Sequence, residues 1–151
     1  MICVLLVQHN RHQPAMYETF EHTADLGLRA RAATLDELFA DMARALTATL
    51  VEDVAAIQPQ ETVRLRIDGD DLVYLLFDWL NEVLYRFDAE GWLAADFAVR
   101  VADDGLDAEL RGEPVDPSRH RLDHEVKAIT YHGLTVARTP DGWLAEVIVD
   151  I

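Results

Sequence analysis

Cysteine and lysine are almost missing from this chain: of 151 residues only Cys3 and Lys127 represent them. A lone cysteine excludes an intramolecular disulfide framework and any cysteine-built zinc site, and it fits a reducing, cytoplasmic setting. Long hydrophobic runs are also missing. The apolar stretch from Ile2 to Val7 is far short of the ~20 residues a spanning helix needs, and it lacks the basic flank and small-residue cleavage site of a signal peptide. No glycine-rich phosphate cradle, serine elbow or zinc-protease helix motif occurs, which argues against a self-contained nucleotide-hydrolysing enzyme. Positive charge is scarce as well: 13 basic side chains face 28 acidic ones, a formal net charge of −15. Such a surface repels a phosphate backbone and attracts basic proteins or divalent cations, more strongly at low salt.

Half of the residues are apolar, with no compositional break, so the chain can bury the core of one domain. Residues 1–15 share no periodicity with the rest of the chain and read as an N-terminal extension, either disordered or the product of an upstream start codon; the domain proper is 16–151. From Leu26 the side chains alternate, with Leu26, Leu28, Ala30 and Ala32 opposed to Arg29 and Arg31, the mark of a half-buried strand. Thr34 stands three residues before Glu37 as a capping box, and Leu35, Leu38, Phe39, Met42, Leu46 and Leu50 follow at helical spacing. Val63, Leu65 and Ile67 alternate with Thr62, Arg64 and Arg66 in a second strand. A longer helix comes next, with Leu72, Leu75, Leu76, Trp79, Leu80, Val83, Leu84 and Phe87 on one stripe, capped by Asp70 or Asp71 and stopped before Gly91. Beyond it come strands over 97–101 and 106–110, joined by a turn at Asp103-Asp104-Gly105. A proline-bearing loop or short helix precedes three more strands, Val126 to Tyr131, Leu134 to Arg138 and Trp143 to Ile151. The last is apolar on both faces and is expected at the centre of its sheet. The order predicts an α/β (α+β) single domain, a mainly antiparallel sheet with two principal helices packed on it.

Three groups of residues carry candidate chemistry. Asp25, Asp150 and the carboxylate of Ile151 would converge if the first and last strands of the patterned region met. Such an all-oxygen set raises a pKa or draws in a hard cation, calcium or magnesium; the plainer reading makes Asp25 a turn residue and Asp150 a solvated strand end. On the longer helix Asp78, Asn81, Glu82 and Tyr85 share the stripe opposite the leucines, as a recognition face or simply a solvated one. Acids at i and i+4 repel, so that pair gains the helix nothing. Lys127, Thr130, Tyr131, His132 and Gly133 form a polar and aromatic cluster in which His132 is a candidate base or ligand. Metal-dependent hydrolysis through Asp25, His22, His132 and Asp150 is a rival reading, and a general chaperone for basic RNA-processing proteins is another.

Tyr17-Glu18-Thr19-Phe20-Glu21-His22-Thr23-Ala24-Asp25-Leu26-Gly27, Asp78-Trp79-Leu80-Asn81-Glu82-Val83-Leu84-Tyr85, the run from Val126 to Leu134 and the terminal Val149-Asp150-Ile151 resemble the archease family, in order and over Met16 to the C-terminus. The resemblance implies an archease fold and a non-enzymatic protein with no catalytic residues of its own. It would assist an RtcB-type RNA ligase, promoting its guanylylation and multiple turnover in tRNA splicing and RNA repair. RNA would be met only through the ligase. It further implies a divalent metal, calcium in the family, held by Asp25, Asp150 and Ile151. His22, Asp78, Glu82, Lys127 and His132 are the candidates for contact with the ligase, Lys127 as the charge-matched partner of a triphosphate or of these acids.

Overall fold

The computed structural model describes residues 4–8, 16–22 and 25–151. Cys3, Thr23 and Ala24 lie outside the described residues, and of the N-terminal extension only one strand, β1 (Val4–Gln8), lies within them. The succession continues with β2 (Met16–His22), β3 (Asp25–Ala32), α1 (Leu35–Leu50), β4 (Glu61–Asp68), α2 (Leu72–Asp88), β5 (Trp92–Ala102), β6 (Gly105–Pro114), β7 (Ala128–Ile129), β8 (Thr135–Thr139) and β9 (Gly142–Asp150). All strand pairs are antiparallel. They form two sheets, one in the order β1-β2-β3-β9-β7 with β8 also paired to β9, the other in the order β4-β6-β5. The α+β class and the two helices are as the sequence predicts. Among the described residues the strands divide into two sheets rather than the one expected, β4, β5 and β6 forming the smaller one.

Alternation along the strands decides where the helices go. Leu26, Leu28, Ala30 and Ala32 of β3 and Ala145, Val147 and Val149 of β9 are all buried, and α1 packs against both strands and against β5. Leu38, Phe39, Met42, Leu46 and Leu50 fill that interface, each large side chain contributing about 1.5 to 3 kcal/mol. Helix α2 buries Leu75, Leu76, Trp79, Leu80, Val83 and Leu84. The Trp79 indole N–H donates to the Phe39 carbonyl at 2.9 Å, fixing α2 on α1 without leaving a buried donor unpaired. Both helix starts carry their expected caps: Thr34 accepts from the Glu37 N–H at 3.2 Å, and Asp71 accepts from Val73 and Tyr74 at 2.9 and 3.3 Å.

Strand β9 lies between β3 on one side and β7 and β8 on the other, the central place its two apolar faces predict. The expected strand from Val126 to Tyr131 shrinks to Ala128–Ile129. There the Thr130 N–H and hydroxyl both donate to the Ile148 carbonyl, at 3.1 and 2.8 Å, and the chain turns away at His132-Gly133. Among the described residues no helix is long and apolar enough to cross a membrane.

Candidate functional site

Three registers meet at one end of the larger sheet. His22 of β2 stands opposite Asp25 of β3, Asp25 stands opposite Asp150 of β9, and Asp150 stands opposite Ala128 of β7. The four positions form one row across four strands. Leu26 and Val149, the next pair along, point into the helices, so alternation turns the Asp25 and Asp150 side chains to the opposite face. Both are half-buried. Directly opposed side chains on an antiparallel pair have Cβ atoms ~4.5–5.5 Å apart, and like charges at that spacing are destabilising. Neither carboxylate has a cationic partner among the described residues.

The next row inward is apolar. Phe20 lies opposite Gly27, and a Cβ on that glycine would meet the Phe20 ring at 2.0 Å, so the ring covers the bare backbone. Ile148, opposite Gly27 on the other side, is buried. One row further, Arg29 donates to Glu18 at 2.8 Å and to Glu146 at 2.7 Å while its guanidinium sits 4.7 Å from the Phe20 ring centre. The hydrogen bond to Glu18 raises the arginine pKa above its usual value. Arg29, on that face, is thus already paired with two acids of its own.

The chemistry of the two aspartates fits a hard cation, since both offer only oxygen. Among the described residues no three His, Cys, Asp or Glu side chains gather into a metal-binding group. Ile151, half-buried, follows Asp150 directly and packs against the hydrophobic core.

The other predicted residues fall around this row and away from it. The Lys127 N–H donates to the Asp150 carbonyl at 2.7 Å. Its exposed side chain makes no ion pair with either acid among the described residues. His132 is exposed in the turn after Tyr131, its N–H donating to the Thr130 hydroxyl at 3.2 Å. Asp78 and Glu82 are not brought to the row: they line a cleft of about 610 Å³ with Asn81 and Tyr85 of α2 and Arg66, Ile67 and Asp68 of β4. Sequence reasoning missed the stacking of Tyr131 on Phe77, with ring centres 3.9 Å apart and an interplanar angle of 15°, and the edge contact of Tyr131 with Tyr74 at 5.9 Å. Its only signal was an aromatic residue in an otherwise polar loop.

Residues 17–151 match the Archease protein family. The chain is 42% identical over 139 residues to protein archease of Methanopyrus kandleri, covering 89% of this chain and 99% of that protein. It is 41% identical over 140 residues to protein archease of Pyrococcus furiosus, covering 89% and 98%. The solution structure of protein 1598 of Methanobacterium thermoautotrophicum superposes with a TM-score of 0.78 at 34% identity, over 89% of this chain and 98% of that one. A crystal structure from Thermotoga maritima described as "an archease, possible chaperone" superposes with a TM-score of 0.58 at 20% identity, over 95% and 99%, and is alike in fold. By a family match that runs from Tyr17 through both members of the aspartate row to Ile151, the chain belongs to the archease family.

Proposed function

We propose that this protein is a non-enzymatic activator of an RtcB-type RNA ligase in tRNA splicing and RNA repair, acting through the acidic row at the end of its larger sheet in the cytoplasm. The observation that carries the reading is the register of β3 on β9, which brings Asp25 opposite Asp150 on one face of the sheet. A protein with a net charge of −15 is steered toward a partner that binds nucleotide and RNA, because such a surface is basic or metal-laden. A divalent cation, calcium by family resemblance, would be held by Asp25, Asp150 and the carboxylate of Ile151. When bound, it would cancel their repulsion and present positive charge to ligase or nucleotide phosphate. Asp25 and Asp150 would hold that group beside the apolar Phe20 and Ile148 positions, and Lys127 and His132 would serve as contacts for the ligase.

The test replaces Asp25 and Asp150 singly by alanine, confirms folding by circular dichroism, and follows guanylylation of the cognate ligase. Loss of stimulation is expected, together with a calcium-dependent rise in melting temperature that the wild type shows and both variants lack. Undiminished stimulation removes the acidic row from the mechanism. Suppression of aggregation for unrelated clients, with no effect on the ligase, would favour the chaperone description given to the Thermotoga relative. Metal-stimulated cleavage of phosphoesters by the isolated protein would favour a hydrolase.

A further inference from the structure

The exposed stripe of α2 shows a feature that the acidic row does not account for. Tyr74, Tyr85 and Tyr131 are the three most exposed large apolar side chains described, at 58, 56 and 58%. Two of them are held in place. Tyr131 stacks on Phe77 and meets Tyr74 edge-on, so this end of the patch is ordered before any partner arrives. Between Tyr74 and Tyr85, on the same helix face, lie Asp78 and Glu82, two like charges at i and i+4 whose repulsion weakens the helix.

Among the described residues no cation pairs closely with both of them. Arg66, the cation lining their cleft, is taken up by Asp68, Asp104 and Asp107 at 3.0, 3.2 and 3.0 Å. Arg86 approaches Glu82 only to 3.8 Å while bonding Glu90 at 3.0 Å. Asp78 has no ion-pair partner among the described residues.

Carboxylates interleaved with aromatic faces are complementary to a planar, weakly hydrated cation. The molecule holds its own Arg29 in this way, over the Phe20 ring and between Glu18 and Glu146. We infer that the exposed face of α2, with Tyr74, Asp78, Glu82, Tyr85 and Tyr131, docks an arginine-bearing segment of a basic protein partner. Phosphate is disfavoured there by the same carboxylates, and an apolar partner would leave them buried and unpaired. The segment that pairs with the row also carries part of the patch: Ala128 stands opposite Asp150, and three residues later Tyr131 lies on Phe77. The inference rests on the ligase reading above, and the partner it commits to is that ligase.

The test compares the full chain with D78N/E82Q, and with D103N/D141N, which removes the same charge from exposed turns elsewhere. Affinity for the cognate ligase is measured at low and physiological salt. For D78N/E82Q the expected result is a loss of about tenfold or more, with full stimulation recovered at saturating concentration and a melting temperature no lower than wild type. D103N/D141N should bind as wild type does. Equal ligase affinity of D78N/E82Q and wild type overturns the inference while leaving the ligase reading intact, as does an equal loss in D103N/D141N. Wild-type protein that neither binds nor stimulates the ligase overturns both. Self-association of the wild type that D78N/E82Q disperses overturns it in favour of a second copy of this chain.

Discussion

Gly112 is a residue whose side chain could not exist. A Cβ there would lie 1.9 Å from the Leu93 carbonyl oxygen and 2.7 Å from the Ala94 Cα, both backbone atoms of the neighbouring strand. That approach occurs where β5 carries an irregularity between Ala94 and Asp96, and bulges of this kind bring backbones close. Gly112→Ala is expected to cost about 3 kcal/mol in urea unfolding, because the ladder has to separate to admit the methyl group. Gly69 has only the Leu75 Cδ1 atom nearby, at 3.5 Å, so Gly69→Ala should stay within about 0.5 kcal/mol of wild type. The same logic of close approach makes Gly27 a seat for Phe20 rather than a turn residue. Its place within a predicted strand gave no sign of that, since the ring that covers it belongs to β2, where the sequence shows no clean alternation.

Among the elements, α1 and α2 were legible because their signals are local: periodic leucines and a capping residue within one turn of the start. Asp71 satisfies two N–H groups of α2, and Asp71→Ala should lower stability by about 1 kcal/mol, read as a shift in urea midpoint at unchanged slope. The strands were legible only in part. β4 and β9 declare themselves by pattern, whereas β2 alternates Tyr17, Thr19 and Glu21 with Glu18, Phe20 and His22, mixing polarity on both faces. β7 is shorter than the pattern of Val126 and Ile129 predicts: Thr130 still bonds the Ile148 carbonyl through its N–H and hydroxyl, and the chain then turns at His132-Gly133. The convergence of Asp25 and Asp150 could be stated beforehand only as a condition. Register is set by packing across the sheet, and a slip of one residue would have sent either side chain to the other face.

At the scale of the whole molecule, one buried ionic cluster ties the segment after β6 to the connection between α1 and β4. Glu113, 3% exposed, accepts from the Gln58 N–H at 2.7 Å and from Arg119, and lies 2.9 Å from the Nε2 of buried His120. The His120 Nδ1 accepts from the Asp116 N–H, so the proton sits on Nε2 and is donated to Glu113. The hydrogen bond from Arg119 is the chief reason that Glu113 titrates at about 2 rather than 4.5. A depressed carboxylate pKa contributes stability that is present above the ordinary value and is lost as pH falls toward the folded one. Wild-type stability should therefore drop through that window more steeply than that of Glu113→Gln, and the gap between the two, wide at neutral pH, should close at its acid end. The order of synthesis adds a last consequence. β9 is made after every strand it joins, and Arg29 and Glu146, which bond across β3 and β9, are 117 residues apart in the chain. A nascent chain that has folded its helices and smaller sheet still lacks the middle of the larger one, and the two aspartates meet only when that strand has emerged from the ribosome. The paired aspartates are thus withheld from every chain whose synthesis stops short of β9.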